Sequence, residues 1–187
     1  MLNYIDNYHM KQYFILIVML VLSIGHMRAQ WKAAWFEEHS RVFLDVDYTD
    51  SIPAYDKPEG KIIKYVKNNM AEEDGLYFEI LESNGKMFHV NVTTTKFETF
   101  VVSGWVNIKD SHLGIYSRDY KGILYFYKYP GNKRVINYIL RKYNPEMYTV
   151  IDCKGNWLKV KSKIDGILYV GWIEPIMQCC NIYSTCS

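Results

Sequence analysis

The stretch Ser103–Asp110, SGWVNIKD, ends an apolar run and has a near-copy in Val170–Met177, VGWIEPIM. In both stretches a glycine and a tryptophan precede one aliphatic and one polar residue. Glycine permits a bend or a close backbone approach within a strand, and tryptophan can cover the open end of a small barrel. A chain that carries this terminating sequence twice is expected to contain one structural unit twice.

The residues that precede the two Gly-Trp pairs also match, and they match in the same order. The sequence IPAYDKPEGKII corresponds to LYFYKYPGNKRVI, and FEILESNGKMFHVNV corresponds to YTVIDCKGNWLKVKS. The equivalent residues include Tyr55 and Tyr127 (72 apart), Ile80 and Val150 (70 apart), and Trp105 and Trp172 (67 apart). The offset changes only between matching segments, so the differences in length fall in loops. This collinear series predicts an internal repeat.

Each repeat is predicted to contain a β-hairpin. Asn84-Gly85 lies between two alternating runs, which is the strongest short hairpin signal, and Gly155 occupies the equivalent turn. Alternation along a strand assigns successive side chains to opposite faces. The inward residues are expected to be Phe88, Val90 and Val92 in the first unit, and Leu158 and Val160 in the second. The outward residues are expected to be Met87, His89 and Asn91, and Trp157 and Lys159.

The composition agrees with β structure and excludes some partners. The chain has 17 tyrosines among 187 residues, and tyrosine favours pleated, half-buried surfaces. Lys and Arg number 22 against 20 acidic residues. This balance shows no basic surface for nucleic acid, and no nucleic-acid partner is predicted.

The N-terminus has the order of a secretory signal. Lys11 supplies a positive charge, residues 13–25 form an apolar run, and Ala29 is a small residue at a plausible cleavage site. Met10 is the expected start, and residues 1–29 are read as an upstream extension plus signal peptide. The alternative is a transmembrane anchor, but the apolar run is shorter than the roughly 20 residues of a span. We therefore expect a periplasmic or secreted protein with no stable membrane span after cleavage.

All four cysteines, Cys153, Cys179, Cys180 and Cys186, lie in the last 35 residues. An even count in an exported chain favours disulfides. Because adjacent cysteines are poorly placed to bond each other, one of the adjacent pair is expected to join Cys186 and the other Cys153. Which one does so is left open. A zinc site is the alternative, but paired C-x-x-C spacing is missing, so no metal or other cofactor is predicted.

These motifs together resemble the bacterial SH3-like (SH3b) family, in tandem. The order is an apolar strand, a Pro-Gly-type loop, an aliphatic strand, a hairpin ending in GNWLKV, and VGWI. The resemblance implies an all-β fold with two SH3-like barrels, at 51–109 and 120–178. Residues 30–50 are then an N-terminal segment, 110–119 a linker and 179–187 a Cys-bearing tail. That tail is similar to the end of tandem-SH3 proteins exported by Bacteroidetes-type bacteria.

A cluster of aromatic residues is the candidate binding site. Tyr127 and Tyr129 lie beside Pro130, and Tyr55 marks the same place in the first unit. In SH3-type barrels this loop borders a peptide groove that aromatic residues line. Trp157, expected to point outward, and Trp172 complete the predicted ligand-binding set. The alternatives are that Tyr125 and Tyr127 belong to the core, and that Trp105 and Trp172 pack in the core or at its rim.

No catalytic residues are predicted, because neither an H-E-x-x-H motif nor a G-x-S-x-G elbow is present. Two functions remain in competition. The SH3b resemblance implies a non-catalytic module that recognises cell-wall peptide or glycan, or an envelope protein. The alternative is an inhibitor or immunity-type partner of an envelope toxin or enzyme.

Overall fold

The computed structural model describes residues 40–118, 123–132, 134–140, 146–183 and 186. The predicted signal peptide at 1–29 and the segment up to residue 39 lie outside the described residues. Within the described ranges the secondary structure consists of β-strands and two 3-10 turns, so the prediction of an all-β fold is confirmed. None of the described residues forms a helix long and apolar enough to cross a membrane.

Thirteen strands occur in the described ranges. They are β1 Ser40–Leu44, β2 Ile52–Tyr55, β3 Ile62–Val66, β4 Leu76–Ser83, β5 Met87–Thr94, β6 Phe100–Asn107, β7 Leu113–Ser117, β8 Ile123–Tyr127, β9 Val135–Leu140, β10 Tyr148–Lys154, β11 Trp157–Ile164, β12 Ile167–Ile173 and β13 Gln178–Cys179. The 3-10 turns are Met70–Glu72 and Pro175–Met177. Both predicted hairpins, β4–β5 and β10–β11, are present.

The strands form one antiparallel sheet in the order β3-β2-β6-β5-β4-β1-β7-β10-β11-β12-β8-β9, and β13 pairs with β7. The order β3-β2-β6-β5-β4 in the first half corresponds to β9-β8-β12-β11-β10 in the second. The two halves therefore mirror each other about the central strands β1 and β7. The described sheet does not close, and it ends at β3 on one side and β9 on the other.

The strand register reproduces the alignment of the repeats. Tyr55 lies opposite Trp105, as Tyr127 lies opposite Trp172. Two further pairs are equivalent: Val90 lies opposite Gly104, and Val160 opposite Gly171. A β-bulge follows Ile80 in β4, and an equivalent bulge follows Val150, 70 residues later, in β10. Repeated sequence thus gives repeated hydrogen-bond pairing, including its irregularities.

The core lies on the face that alternation predicted. The five residues predicted to point inward are each fully buried: Phe88, Val90, Val92, Leu158 and Val160. In β8 the core residues are Leu124 and Phe126, so Tyr125 and Tyr127 lie on the other face. The alternative that these two tyrosines belong to the core is therefore wrong.

The central strand β7 lies inside the segment that was expected to be a linker. It pairs with β1, β10 and β13, and Leu113, Ile115 and Ser117 are buried. The predicted linker at 110–119 is corrected accordingly, because it contains a strand that belongs to the core of both halves. A five-residue strand that contains a glycine gives too short an apolar pattern to be recognised from sequence.

Candidate aromatic binding surface

Three of the predicted ligand-binding residues meet on the outer face of the second half. Tyr127 on β8 lies opposite Trp172 on β12, and its ring meets the Trp157 ring of β11 edge-on at 5.5 Å. Tyr127 and Trp157 are half-buried, whereas Trp172 is only 7% exposed. We call Tyr127, Trp157 and Trp172 the aromatic cluster. Trp172 forms its floor, and the other two rings offer contact area to a ligand.

A carboxylate lies at the edge of this cluster. The Tyr127 hydroxyl donates a 3.4 Å hydrogen bond to Oε1 of Glu174. Burial raises the pKa of Tyr127, and the nearby Glu174 carboxylate raises it further. The phenol therefore keeps its proton near neutral pH, and the cluster presents two ring faces beside one anionic group. This arrangement can stack on sugar rings or apolar side chains and accept hydrogen bonds from a ligand.

The glycine of each Gly-Trp pair brings a neighbouring strand close enough to build this surface. A Cβ on Gly171 would lie 2.7 Å from Cβ of Phe126, and one on Gly104 would lie 2.8 Å from the carbonyl oxygen of Tyr55. Both distances are too short for a side chain. Glycine is therefore required where β8 pairs with β12 and where β2 pairs with β6.

Tyr129 lies apart from the aromatic cluster. It is in the turn between β8 and β9, where 51% of its surface is exposed. The ammonium group of Lys128 lies 5.3 Å from the centre of its ring. In the described part of the chain Tyr129 makes no ring contact with Tyr127 or Trp157. The predicted ligand-binding residues of the second half are thus divided between the packed aromatic cluster and the exposed turn residue Tyr129.

The equivalent surface of the first half contains different chemistry. Tyr55 is half-buried opposite Trp105, and the ring of His89 stacks on Trp105 at 5.1 Å. Met87 stands where the second half has Trp157, and it is only 5% exposed. Met87 was expected on the outward face, and it is nevertheless covered, because alternation assigns a side chain to a face without showing whether other residues cover that face. Asn107 takes the position of Glu174.

Sequence reasoning did not assign His89 or Glu174 to these surfaces, and it did not include Tyr125 in the predicted ligand-binding set. The ring of Tyr125 lies 6.3 Å from that of Tyr127 and extends the cluster along β8. The signal that could have identified them was the Gly-Trp register, since residues two apart on paired strands share a face.

The cysteines form one disulfide within the described residues. Cys179 and Cys186 are joined, with Cα atoms 5.7 Å apart, and this confirms the short loop within the tail. The expected second bridge to Cys153 is absent, since Cys153 carries no disulfide. Its thiol contacts the carbonyl oxygen of Gly155 at 3.1 Å. Burial raises the pKa of Cys153 to about 11, which the neighbouring Ser40 hydroxyl partly offsets.

Cys153 and Cys180 lie at different places in the sheet. Cys153 is on β10, opposite Leu158 of β11, whereas Cys180 directly follows β13, which pairs with β7. Neither of the two takes part in a disulfide.

The disulfide loop of the tail contacts the first half of the sheet. The Tyr183 hydroxyl donates to the carbonyl oxygen of Glu73 at 2.6 Å and also contacts the Thr95 hydroxyl. A Cβ on Gly75 would lie 2.7 Å from Cδ1 of Ile182. Burial raises the pKa of Tyr77 to about 12, with Cys180 and Tyr183 adding to the shift. We call residues 179–183 together with Cys186 the tail clasp, because they follow the second half and because Ile182 and Tyr183 contact the first.

The described residues contain no group of three or more His, Cys, Asp or Glu side chains that could hold a metal ion.

Comparison with known proteins leaves the surface without a named counterpart. No family model matches the chain, and no curated protein matches it. A structure of low similarity is that of NlpC1 from Trichomonas vaginalis, with 15% sequence identity and a TM-score of 0.33. The match covers 76% of this chain and 46% of that chain, so it spans less than half of the NlpC1 structure. At this level the likeness carries no statement about activity.

Proposed function

We propose that the protein is an exported, non-catalytic binding protein that recognises cell-wall peptide or glycan through the aromatic cluster of its second half. The observation that supports this most is the edge-on contact of Tyr127 with Trp157, on the face opposite the core. Large aromatic rings held rigidly on an outer face lose little conformational entropy when they bind. Glu174 at the edge supplies an acceptor for ligand donor groups.

The strand pairing supports an interpretation of each half as an SH3-like unit. In the first half a three-strand meander, β4-β5-β6, is flanked by β1 and by the hairpin β2–β3. In the second half the same roles fall to β10-β11-β12 and β8–β9, and β13 follows a 3-10 turn. On this interpretation β7 is shared, as the last strand of the first unit and the first strand of the second.

Sedimentation with purified sacculi tests the proposal. Wild-type protein is expected to sediment with the sacculi, and Trp157→Ala is expected to weaken binding by about thirtyfold, or 2 kcal/mol, as for a typical hot-spot residue. Trp105→Ala, a half-buried tryptophan of the first half, is the matched control. Each variant is checked by a thermal melt. If folded Trp105→Ala and Trp157→Ala weaken binding equally, or if wild-type protein stays in solution, the aromatic cluster is not a wall-binding site.

An envelope-protein partner is the second candidate, and the outward side of the β8–β9 hairpin favours it. Ile123, Tyr125, Ile136 and Tyr138 lie there with 38–50% of their surfaces exposed. A protein partner could cover such a surface, as an inhibitor or immunity-type protein would require.

A further inference from the structure

The first half of the sheet contains a cavity of about 330 Å³. It lies between β3, the start of β4, the end of β5 and the part of β6 around Val101. The aromatic cluster described above belongs to the second half. Pockets for small ligands begin at about this volume, so the cavity has the size to hold a small molecule or a very short peptide.

One wall of the cavity is apolar. Val66 and Leu76 are buried members of the core, and the partly buried Val101 packs against the same core. All three line the cavity, and we call them the apolar wall. An aliphatic group of a ligand would lose its contact with water there, which favours binding.

Two ammonium groups belong to the β3 side of the cavity. Lys64 and Lys67 line it, and both residues are exposed. The Lys64 ammonium donates one hydrogen bond, 3.1 Å long, to the carbonyl oxygen of Val101. Because an ammonium group has three donor hydrogens, Lys64 keeps two for a ligand. A pair of lysines is suited to a carboxylate, since hydrogen bonds between ionised groups are the strong ones.

A fixed carboxylate, that of Asp74, lines the same cavity. The backbone of Asp74 pairs with that of Asn69 through hydrogen bonds of 2.8 and 3.1 Å. Its Oδ1 accepts from the Thr95 hydroxyl at 3.3 Å and from the Lys96 amide at 3.0 Å. A carboxylate offers about four acceptor positions, so Asp74 can also accept from a ligand ammonium group.

The tail clasp braces the Asp74 side of the cavity. The Thr95 hydroxyl accepts from the Gly75 amide at 2.8 Å and contacts the Tyr183 hydroxyl. A Cβ on Gly75 would lie 2.7 Å from Cδ1 of Ile182, so the clasp packs directly against this part of the chain. A wall that is held in place before a ligand arrives lowers the entropic cost of binding.

The positive charge of the cavity is not a requirement of the strand pairing that the two halves share. Lys64 lies opposite Ala54, and the equivalent position of the second half is Asn137, which lies opposite Phe126. The second half thus forms the same hairpin with a neutral amide at this position. The lysine is therefore a property of the first half alone, as a ligand-binding residue would be.

We infer that this cavity binds a short zwitterionic peptide with apolar side chains. Its carboxylate would lie at Lys64 and Lys67, its ammonium group at Asp74 and its side chains on the apolar wall. The inference goes beyond wall binding, because it concerns a different half of the sheet and a different ligand. The sacculus experiment tests the aromatic cluster and the experiment below tests the cavity, so the two can fail separately.

A dipeptide and its two capped forms test the inference on the intact protein. The probes are leucyl-leucine, its C-terminal amide, which lacks the carboxylate, and its N-acetyl form, which lacks the ammonium group. In NMR titrations each capped form is expected to bind about tenfold more weakly than leucyl-leucine, as for the loss of a hydrogen bond between charged groups. The shifted amide signals are expected at residues 64–67, 74–76 and 101. High salt should reduce the difference.

Three variants assign the charges of the ligand to their partners. Lys67→Gln is expected to reduce the preference for leucyl-leucine over its amide from about tenfold to about threefold or less. Asp74→Asn keeps Oδ1 as an acceptor and should reduce the preference over the N-acetyl form in the same way. Lys61→Gln is the matched control, because Lys61 is exposed, directly precedes β3 and does not line the cavity. It should change each affinity less than about twofold.

Thermal melts show which variants are folded, and Lys67→Gln, at an exposed residue, decides alone if Asp74→Asn is unfolded. Three outcomes would overturn the inference. The first is equal binding of the three peptides, or binding of none. The second is an equal effect of Lys61→Gln and Lys67→Gln. The third is a set of shifted signals at Tyr127, Trp157 and Trp172 in place of the cavity, which would assign the peptide to the aromatic cluster.

Discussion

The two halves of the sheet share their backbone pairing and differ in the chemistry of their outer faces. Tyr55 and Tyr127 occupy the same register position, each opposite the tryptophan of a Gly-Trp pair. On the other strand that pairs with each Gly-Trp strand, however, Met87 is buried where Trp157 is half-buried. The difference shows that a repeated strand register preserves a scaffold, while a few outward side chains decide whether that scaffold offers a binding surface.

The largest effect is expected from opening the disulfide loop of the tail clasp, the segment that packs on the first half. Cys186→Ala opens the disulfide with Cys179, whose sequence separation is 7. A loop of this length is expected to contribute about 2.5 kcal/mol to stability, chiefly by restricting the unfolded chain. Urea melts of wild-type and variant protein measure the loss.

Tyr183→Phe separates the tail contact from the disulfide. It removes the hydroxyl that bonds Glu73 and Thr95 while the disulfide stays intact. A loss of about 1 kcal/mol is expected. An unchanged melt for both Cys186→Ala and Tyr183→Phe would mean that the tail clasp does not join the halves energetically.

The next comparison sets Met87 against Trp157. Met87 is 5% exposed, so Met87→Ala leaves a cavity and is expected to lower stability by about 2 kcal/mol. Trp157→Ala, on the half-buried face, is expected to lower stability less and to act mainly on binding. Thermal melts of both variants measure the two losses of stability. A greater loss of stability for Trp157→Ala would make that residue a structural lid and remove the asymmetry between the halves.

The strand pairing that the two halves share is tested by substituting Gly104 and Gly171, the glycines at which a neighbouring strand approaches closely. Gly104→Ala and Gly171→Ala each place a Cβ within 3 Å of a neighbouring strand. Both are expected to destabilise by about 1.5 kcal/mol, as for overpacked sites. Gly85→Lys is a control for backbone strain. Gly85 has a φ of 82°, which strains any other residue, but a Cβ there meets nothing within 4 Å, so the variant measures strain without crowding. Unequal losses of stability for Gly104→Ala and Gly171→Ala would show that the two close strand contacts are not equivalent.

The smallest effect concerns Cys153, which has no cysteine counterpart in the first half. Its pKa is raised from 9.0 to about 11 in the folded protein, so folding favours the protonated thiol. This contribution is fully present below pH 9 and is lost as the pH rises through 11. Cys153→Ser is expected to flatten the fall in unfolding free energy across this window, as measured by urea melts. If the unfolding free energies of wild-type protein and Cys153→Ser fall in parallel with pH, the raised pKa of Cys153 is contradicted.

Sequence alone was enough to predict the repeat and much of its geometry. The alignment that paired Tyr55 with Tyr127 and Ile80 with Val150 reappears in the strand register, because side-chain alternation and turn glycines are local properties. The same locality predicted the buried residues of β5 and β11. It also predicted that Trp157 belongs to the outer face, and there Trp157 contacts Tyr127.

The features that link distant parts of the chain were decided by tertiary structure. No local pattern shows that β7 pairs with strands of both halves, that Met87 is covered, or that Tyr183 reaches Glu73. The same holds for the missing bridge between Cys153 and Cys180. Each depends on which strands become neighbours, and neighbours are selected by burial summed over the whole sheet. Alternation fixes the face on which a side chain lies, whereas only the assembled sheet determines what that face meets.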